Sequence, residues 1–357
     1  MVAGAQPQCA LTLADRVAGA LWGMFIADAL AMPVHWFYGG PSQIRRTFGK
    51  LITGYEAPLS GAGSFPESIM ALSSTSSAGR GTSDGDIIGS VINHGKKQFW
   101  KRGSGYHYHC TLQKGETTLE GEMARLAMRS MTAGGFDLDR MQTEYVDFMT
   151  SPGQHNDAYA SSYHRVFFQN LGAGKALRKC PSNDGHNVDA IDGLVIPAVV
   201  LLAGAALPET EALEAAKRSV NVTRDSPRVA AFVGELSSMM RAVLRGETAA
   251  EAAQATATKL LGRPLDVTMA DPVVACYVDQ NFASLLLLLA KYPGFREAVL
   301  ANANAGGENV HRGLVLGALM GAQVGASGID ADLKGGLHHS AAIEAEIQAV
   351  VAAHIGG

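Results

Sequence analysis

Apolar positions along this chain recur at helical spacing, and no stretch sustains the alternation that marks a half-buried strand. From Asp137 onward the pattern predicts helices over 138–150, 155–171, 187–206, 209–220, 226–245, 248–261, 270–290, 308–326 and 340–354. Upstream, one helix covers Val17–Leu30 and another covers Gly121–Met131, with Thr117 or Thr118 as the N-cap of the latter. Between them, Met32–Pro41 cannot continue a helix, and its aromatic residues read either as a pocket wall or as a core plug. Residues from about 50 to 105 are rich in Gly and Ser and predict long surface loops, of the kind that serve as lids or interaction segments. No repeat of fixed period is present. These elements predict an all-α orthogonal helical bundle, with residues 1–357 forming a single domain.

Glycines sharpen the picture. Gly313, Gly317, Gly321 and Gly325 recur every four residues and line one helix face, and Gly19, Gly23 and Ala27 form a matching stripe near the other end of the chain. Each interior Gly costs a helix about 1 kcal/mol relative to Ala, so two such stripes predict a close helix pair. If the pair is antiparallel, Asp28 meets Glu308, Asn309, His311 and Arg312 where one helix ends and the other begins. Helix openings offer unpaired N–H groups to an anion, although polar residues there also serve as plain caps.

Bulk properties exclude some partners. Net charge is −4 with no basic block, which argues against nucleic acid. The longest apolar runs, Gly193–Leu207 and Phe282–Ala290, fall short of the ~20 residues of a membrane span. The N-terminus lacks the pattern of a secretory signal, and Cys9, Cys110, Cys180 and Cys276 are scattered, which predicts reduced thiols in a cytoplasmic protein. The His107-Tyr-His109-Cys110 cluster has zinc-binding residue types, but its spacing supplies only part of a tetrahedral set, and lining a pocket beside Glu116 suits it better.

Two motifs carry a family resemblance. Gly19–Val34 (GALWGMFIADALAMPV) resembles the first motif of the ADP-ribosylglycohydrolase superfamily, and Gly306–Ala322 (GGENVHRGLVLGALMGA) resembles its last. The resemblance implies an all-helical fold, two Mg²⁺ ions, and cleavage of ADP-ribose or a related small-molecule ligand from its conjugates. The superfamily also includes lens crystallins with a structural role. Its two metal-binding quartets align here with Gly115-Glu116-Thr117-Thr118 and Glu308-Asn309-Val310-His311; another frame for the first is Ser83-Asp84-Gly85-Asp86. Four aspartates have thus become two glutamates, and valine cannot bind a metal. What remains is a reduced Mg²⁺ set of Glu116, Thr118 and Glu308, or a fixed cation, Arg312 or protonated His311, in place of metal.

Two middle segments also look family-like. His155–Arg165 reads as a helix opening, with Asn156 as cap and Asp157 in the first turn. His186, Asn187, Asp189 and Asp192 precede the most apolar helix and resemble the loop that contacts the ribose or adenosine end of the ligand. Two functions follow as expectations. One is a hydrolase that cleaves a C1–N or C1–O bond with an activated water, Glu116 or Glu308 acting as base, Asp28 orienting it, and His311 and Arg312 holding ligand oxygens. The other is a non-catalytic, crystallin-like protein on the same scaffold.

Overall fold

The computed structural model of the protein describes residues 11–72 and 87–356, without the side chains of His186 and Asn187. The alternative quartet at Ser83–Asp86 lies outside the described residues. Helices follow one another as α1 (Leu13–Ala31), α2 (Gly40–Phe48), α3 (Leu119–Gly134), α4 (Leu138–Thr150), α5 (Ser162–Gly172), α6 (Gly185–Val188), α7 (Val195–Ala203) and α8 (Glu209–Ser219). They continue as α9 (Pro227–Leu244), α10 (Ala249–Leu261), α11 (Val278–Lys291), α12 (Phe295–Ala305), α13 (Asn309–Val324), α14 (Ala331–Gly335) and α15 (Ser340–His354). Among the described residues β-structure is limited to isolated bridges, so the fold is all-α.

Local chemistry explains where the helices begin. The Thr12 hydroxyl accepts from the Asp15 N–H to start α1, Asp137 caps α4 through Arg140, and Ser226 caps α9 through Val229. Thr248 and Glu251 form a reciprocal capping box on α10. Two expected helices are shorter than their apolar pattern. Residues 155–161 are not helical, and α5 starts only at Ser162. Likewise 270–277 is not helical ahead of α11. The helices α2 and α12 complete the bundle where the sequence pattern predicts none.

The two glycine stripes meet. A Cβ built on Gly23 or Gly317 would lie under 3.0 Å from the other's backbone carbonyl, and Gly19 and Gly321 exclude each other in the same way. The order of pairs, Gly19 with Gly321 and Gly23 with Gly317, with Gly313 near Ala27, makes α1 and α13 antiparallel. By length and composition Leu13–Val34 could cross a membrane, yet that segment is entirely buried inside the protein. Its apolarity is that of a core helix. Around this pair a contiguous core gathers apolar residues from most of the remaining helices.

Candidate functional site

The polar centre sits at the C-terminal end of α1 and the start of α13. Gly306 and Gly307 both adopt left-handed φ values, +71° and +60°, and at Gly306 a side chain would collide with the Phe37 carbonyl. This lets the segment after α1 lie directly against the turn into α13: Trp36 N–H donates to Gly307 O at 2.9 Å, and Gly307 N–H donates to Phe37 O at 3.2 Å. His35 and Trp36 are thereby delivered to Glu308. Trp36 itself has φ +59°, a conformation rare for a residue with a Cβ.

A line of five side chains crosses the centre. Both Asp157 oxygens lie 3.0 Å from His109 Nδ1; His109 Nε2 is 2.7 Å from His35 Nδ1; His35 Nε2 is 3.3 Å from Glu308 Oε1. Glu308 Oε1 is also paired with His311 Nδ1, and the Trp36 indole N–H donates to Oε2. All five members of the line are buried, and the side chains of His35 and Glu308 have no exposed surface. Half-buried Trp36 packs edge-on against Tyr108 and Tyr159, closing the centre with aromatic rings.

Electrostatics distribute the charge. Burial alone would raise the Glu308 pKa, but protonated His311 beside it holds the carboxylate well below its ordinary range. Burial likewise pulls His311 down, and Glu308, helped by Asp192 and Glu120, pushes it up to about 10. His35, by contrast, is pulled down to about 3 by burial and stays neutral. Asp157 is held below its ordinary value despite burial by His109 and by the backbone N–H groups of Leu119 and Tyr159. Asp28 is pushed up to about 7 by burial, against the bonds donated by the Thr118 N–H and hydroxyl at 2.9 and 2.8 Å.

The expected site residues divide into groups. Glu308, His311, His109 and Asp157 join the line, and His107 borders it, its Nε2 donating to His35 O at 3.2 Å. Asp157 is not in the first turn of its own helix: it accepts from Leu119 N–H at 2.9 Å and so caps α3. Asn156 is correspondingly no cap; it bonds Thr111 O, Lys96 and, at 3.4 Å, Glu116. Glu116 takes the Gln113 N–H at 2.7 Å and stays outside the groups that could hold a metal. Thr117 donates to Glu122, and Thr118, although at the N-cap position of α3, spends its hydroxyl on Asp28.

Other expected residues serve the framework. Arg312 is fully buried and donates to Asn302 Oδ1 at 2.8 Å, with longer contacts to Asn281 and to the carbonyls of Asn302 and Gly306. These bonds turn its guanidinium to the packing around α12 and α13 rather than to ligand oxygens. Asn309 bonds the carbonyls of Ala303 and Val34. Asp189 accepts from the Ser226 hydroxyl at 2.6 Å, and Asp192 pairs with buried Arg224. Asp192 borders a cavity of about 10 Å³ shared with Glu120 and Tyr163, room for about one water. His186 lies with Asn187 on α6, and their side chains are outside the described residues.

Several participants escaped the sequence reading. His35 and Trp36 follow Pro33 in a segment legible only as a break. Glu120, which accepts from Tyr163 at 2.6 Å and lies 3.3 Å from His164, looks in the sequence like an ordinary first-turn acid. The loop region contributes the back of the site: Asn93 and Trp100 donate to the carbonyls of Asp157 and Ala158 and hold residues 157–158 in place.

The reduced Mg²⁺ set is not assembled. Mg²⁺ takes near-octahedral oxygen ligands, whereas Glu116 and Thr118 are turned to Gln113 and Asp28, and Glu308 stands between two imidazoles. The donor atoms that do converge, within 4.8 Å of one another, belong to His35, Glu308 and His311, or to Glu120, Asp192 and His311. In the second group Glu120 and Asp192 are already taken by Tyr163, His164 and Arg224.

An all-helical bundle with its polar centre at the junction of two glycine-lined helices defines the class. The family model described as ADP-ribosylglycohydrolase matches residues 10–356, and the chain belongs to that family. A solved structure described as "ADP-ribosylglycohydrolase-related protein complex" has the same fold, with a TM-score of 0.64 and 18% identity over 96% of this chain and 99% of that one. Comparison with the curated proteins gives no match. Membership suggests ADP-ribosylglycohydrolase-like hydrolase activity on ADP-ribosylated substrates, and the family is typically metal-dependent.

Proposed function

We propose that this protein is a hydrolase that cleaves the C1–N or C1–O glycosidic bond of an ADP-ribose-like small-molecule ligand, with the attacking water activated at Glu308. The observation that carries this reading is the convergence of the Asp157–His109–His35 line and of His311 on one carboxylate, at the place of the family's last motif. A buried carboxylate kept ionised and fixed by two imidazoles can orient a water and draw on its proton. For ligand to reach it, the Trp36 indole must leave Oε2. The left-handed backbone at Trp36, which costs about 1–2 kcal/mol for a residue with a side chain, lowers the cost of that movement.

Release of ADP-ribose from ADP-ribosylated peptides and small conjugates, followed chromatographically, tests the reading. Wild type should turn over at least one of them, and Glu308→Gln should lose about 100-fold or more. Equal rates for the two would sink it. The complete burial of Glu308 beneath Trp36 favours a second reading, a non-catalytic binding or structural protein on the same scaffold. Under that reading neither wild type nor Trp36→Ala releases product from any conjugate.

A further inference from the structure

The contacts along the histidine line contain a proton deficit. Three contacts join Asp157, His109, His35 and Glu308 in series. Each neutral imidazole brings one N–H, so two histidines supply two protons for three contacts. His107 cannot supply a third: its Nδ1 accepts from His109 N–H at 3.3 Å, which leaves its own proton on Nε2, pointed at the His35 carbonyl. One contact in the series therefore sets two lone pairs face to face, and something positive belongs between them.

The position of that gap follows from the ends of the line. Asp157 also accepts the backbone N–H groups of Leu119 and Tyr159, at 2.9 and 3.1 Å, and draws the His109 Nδ1 proton toward itself. His109 Nε2 then accepts from His35 Nδ1–H, and His35 Nε2 is left bare, 3.3 Å from Glu308 Oε1. Only at this end does a further ligand-type nitrogen, His311 Nδ1, face the same oxygen. Trp36 N–H occupies Oε2 and presents Oε1 alone to the two imidazoles. A carboxylate that fixes one ring nitrogen through a hydrogen bond and leaves the other as a lone pair is how metal-ligating histidines are held; here the fixing is relayed from Asp157 through His109.

We propose that His35 Nε2, Glu308 Oε1 and His311 Nδ1 form a mononuclear site for a divalent transition-metal ion, with Asp157 and His109 as its positioning residues. Two nitrogens and one carboxylate oxygen favour ions such as Zn²⁺ or Co²⁺ and disfavour Mg²⁺, which prefers oxygen. His311 gives up its Nδ1 proton to solvent on binding. The site stands on the geometry; it rests on the hydrolase reading only for the use of the ion, which would supply an activated water beside the bond to be cleaved.

The test uses the full chain, stripped with chelator and titrated with Co²⁺ by visible absorption and with Zn²⁺ by competition against a chromophoric chelator. One equivalent of each should bind, Mg²⁺ at a thousandfold excess should not displace it, and binding should release a proton. His35→Ala and Glu308→Gln should each weaken binding by about 100-fold or more, and Asp157→Asn by about 10–100-fold, while the folded state is checked by circular dichroism. The double variant His338→Ala/His339→Ala, on the far-lying pair of stacked imidazoles, should bind as wild type does. Absence of Co²⁺ and Zn²⁺ binding to folded wild type overturns the proposal. So does a third N–H proton, seen by nitrogen NMR, shared between His35 and His109 in the presence of Zn²⁺. Metal binding without product release would sink the hydrolase reading alone; undiminished hydrolysis by chelator-stripped protein would sink the metal site alone.

Discussion

The seam between α1 and α13 and the polar centre at its end are built on opposite terms. Along the seam the backbones touch, and Gly19, Gly23, Gly317 and Gly321 leave no room for any side chain. At its end, side chains from the end of α1, the Trp36 turn, the His107–His109 turn, the start of α3, Asp157 and the start of α13 meet one another through polar atoms. The seam holds a position by exclusion, and the centre holds one by hydrogen-bond direction. Rigidity in the first makes the second possible: a shift of about 1 Å along the seam would change every distance around Glu308.

The strongest way to break the contrast is to put a methyl group in the seam. Gly317→Ala places a Cβ against the Gly23 backbone, and backbone cannot rotate out of the way. Loss of on the order of 4 kcal/mol or more is expected, read as a collapse of the urea midpoint or failure to fold. A variant that melts within a few degrees of wild type would show that the helices can separate cheaply. Next in size is Arg312→Ala. Because the guanidinium binds Asn302 and neighbouring carbonyls inside the packing, its removal should cost about 3 kcal/mol through a cavity and unpaired acceptors. Ligand affinity of the folded fraction, measured by calorimetry with ADP-ribose, should stay within about twofold. A large loss of affinity at unchanged stability would return Arg312 to the ligand.

These two regions also differ in how far sequence reveals them. A seam depends on spacing, and four-residue spacing of Gly is visible without coordinates, down to the pairing of Gly23 with Gly317. Helix ends at Asp137, Ser226 and Thr248 were legible for the same reason, since a cap acts within three residues of itself. The centre depends on contacts between residues far apart in the chain: His35 with His109, Glu308 with His35, Asp157 with Leu119. Asp157 looked like a local helix start because nothing local distinguishes an acid that caps its own helix from one that caps another. Arg312 looked like a ligand contact because charge at a helix opening is usually functional, and nothing nearby in sequence announces that Asn302 absorbs it. Resemblance named the right motifs and misplaced Glu116 and Thr118, whose side chains are claimed by Gln113 and Asp28.

Asp28 is where the two regions join, and it carries the smallest and most specific prediction. It lies in the last turn of α1, where a helix disfavours negative charge. Its oxygens accept from the Thr118 N–H and hydroxyl, and burial still pushes its pKa from 3.8 up to about 7. The sign follows from linkage. Between pH 3.8 and about 7 the unfolded chain has released this proton and the folded chain retains it, so the unfolded state binds fewer protons and stability falls as pH rises. The contribution is complete below 3.8 and gone above about 7, on the order of 2 kcal/mol across the window. Asp28→Asn keeps the acceptor for Thr118 N–H and can donate to the Thr118 hydroxyl, so it should fold and lose that slope. Urea midpoints at pH 4.5, 6 and 7.5 should converge for the variant relative to wild type. Parallel curves for the two proteins would mean that Asp28 is ionised throughout, held by a cation at the centre strong enough to offset its burial.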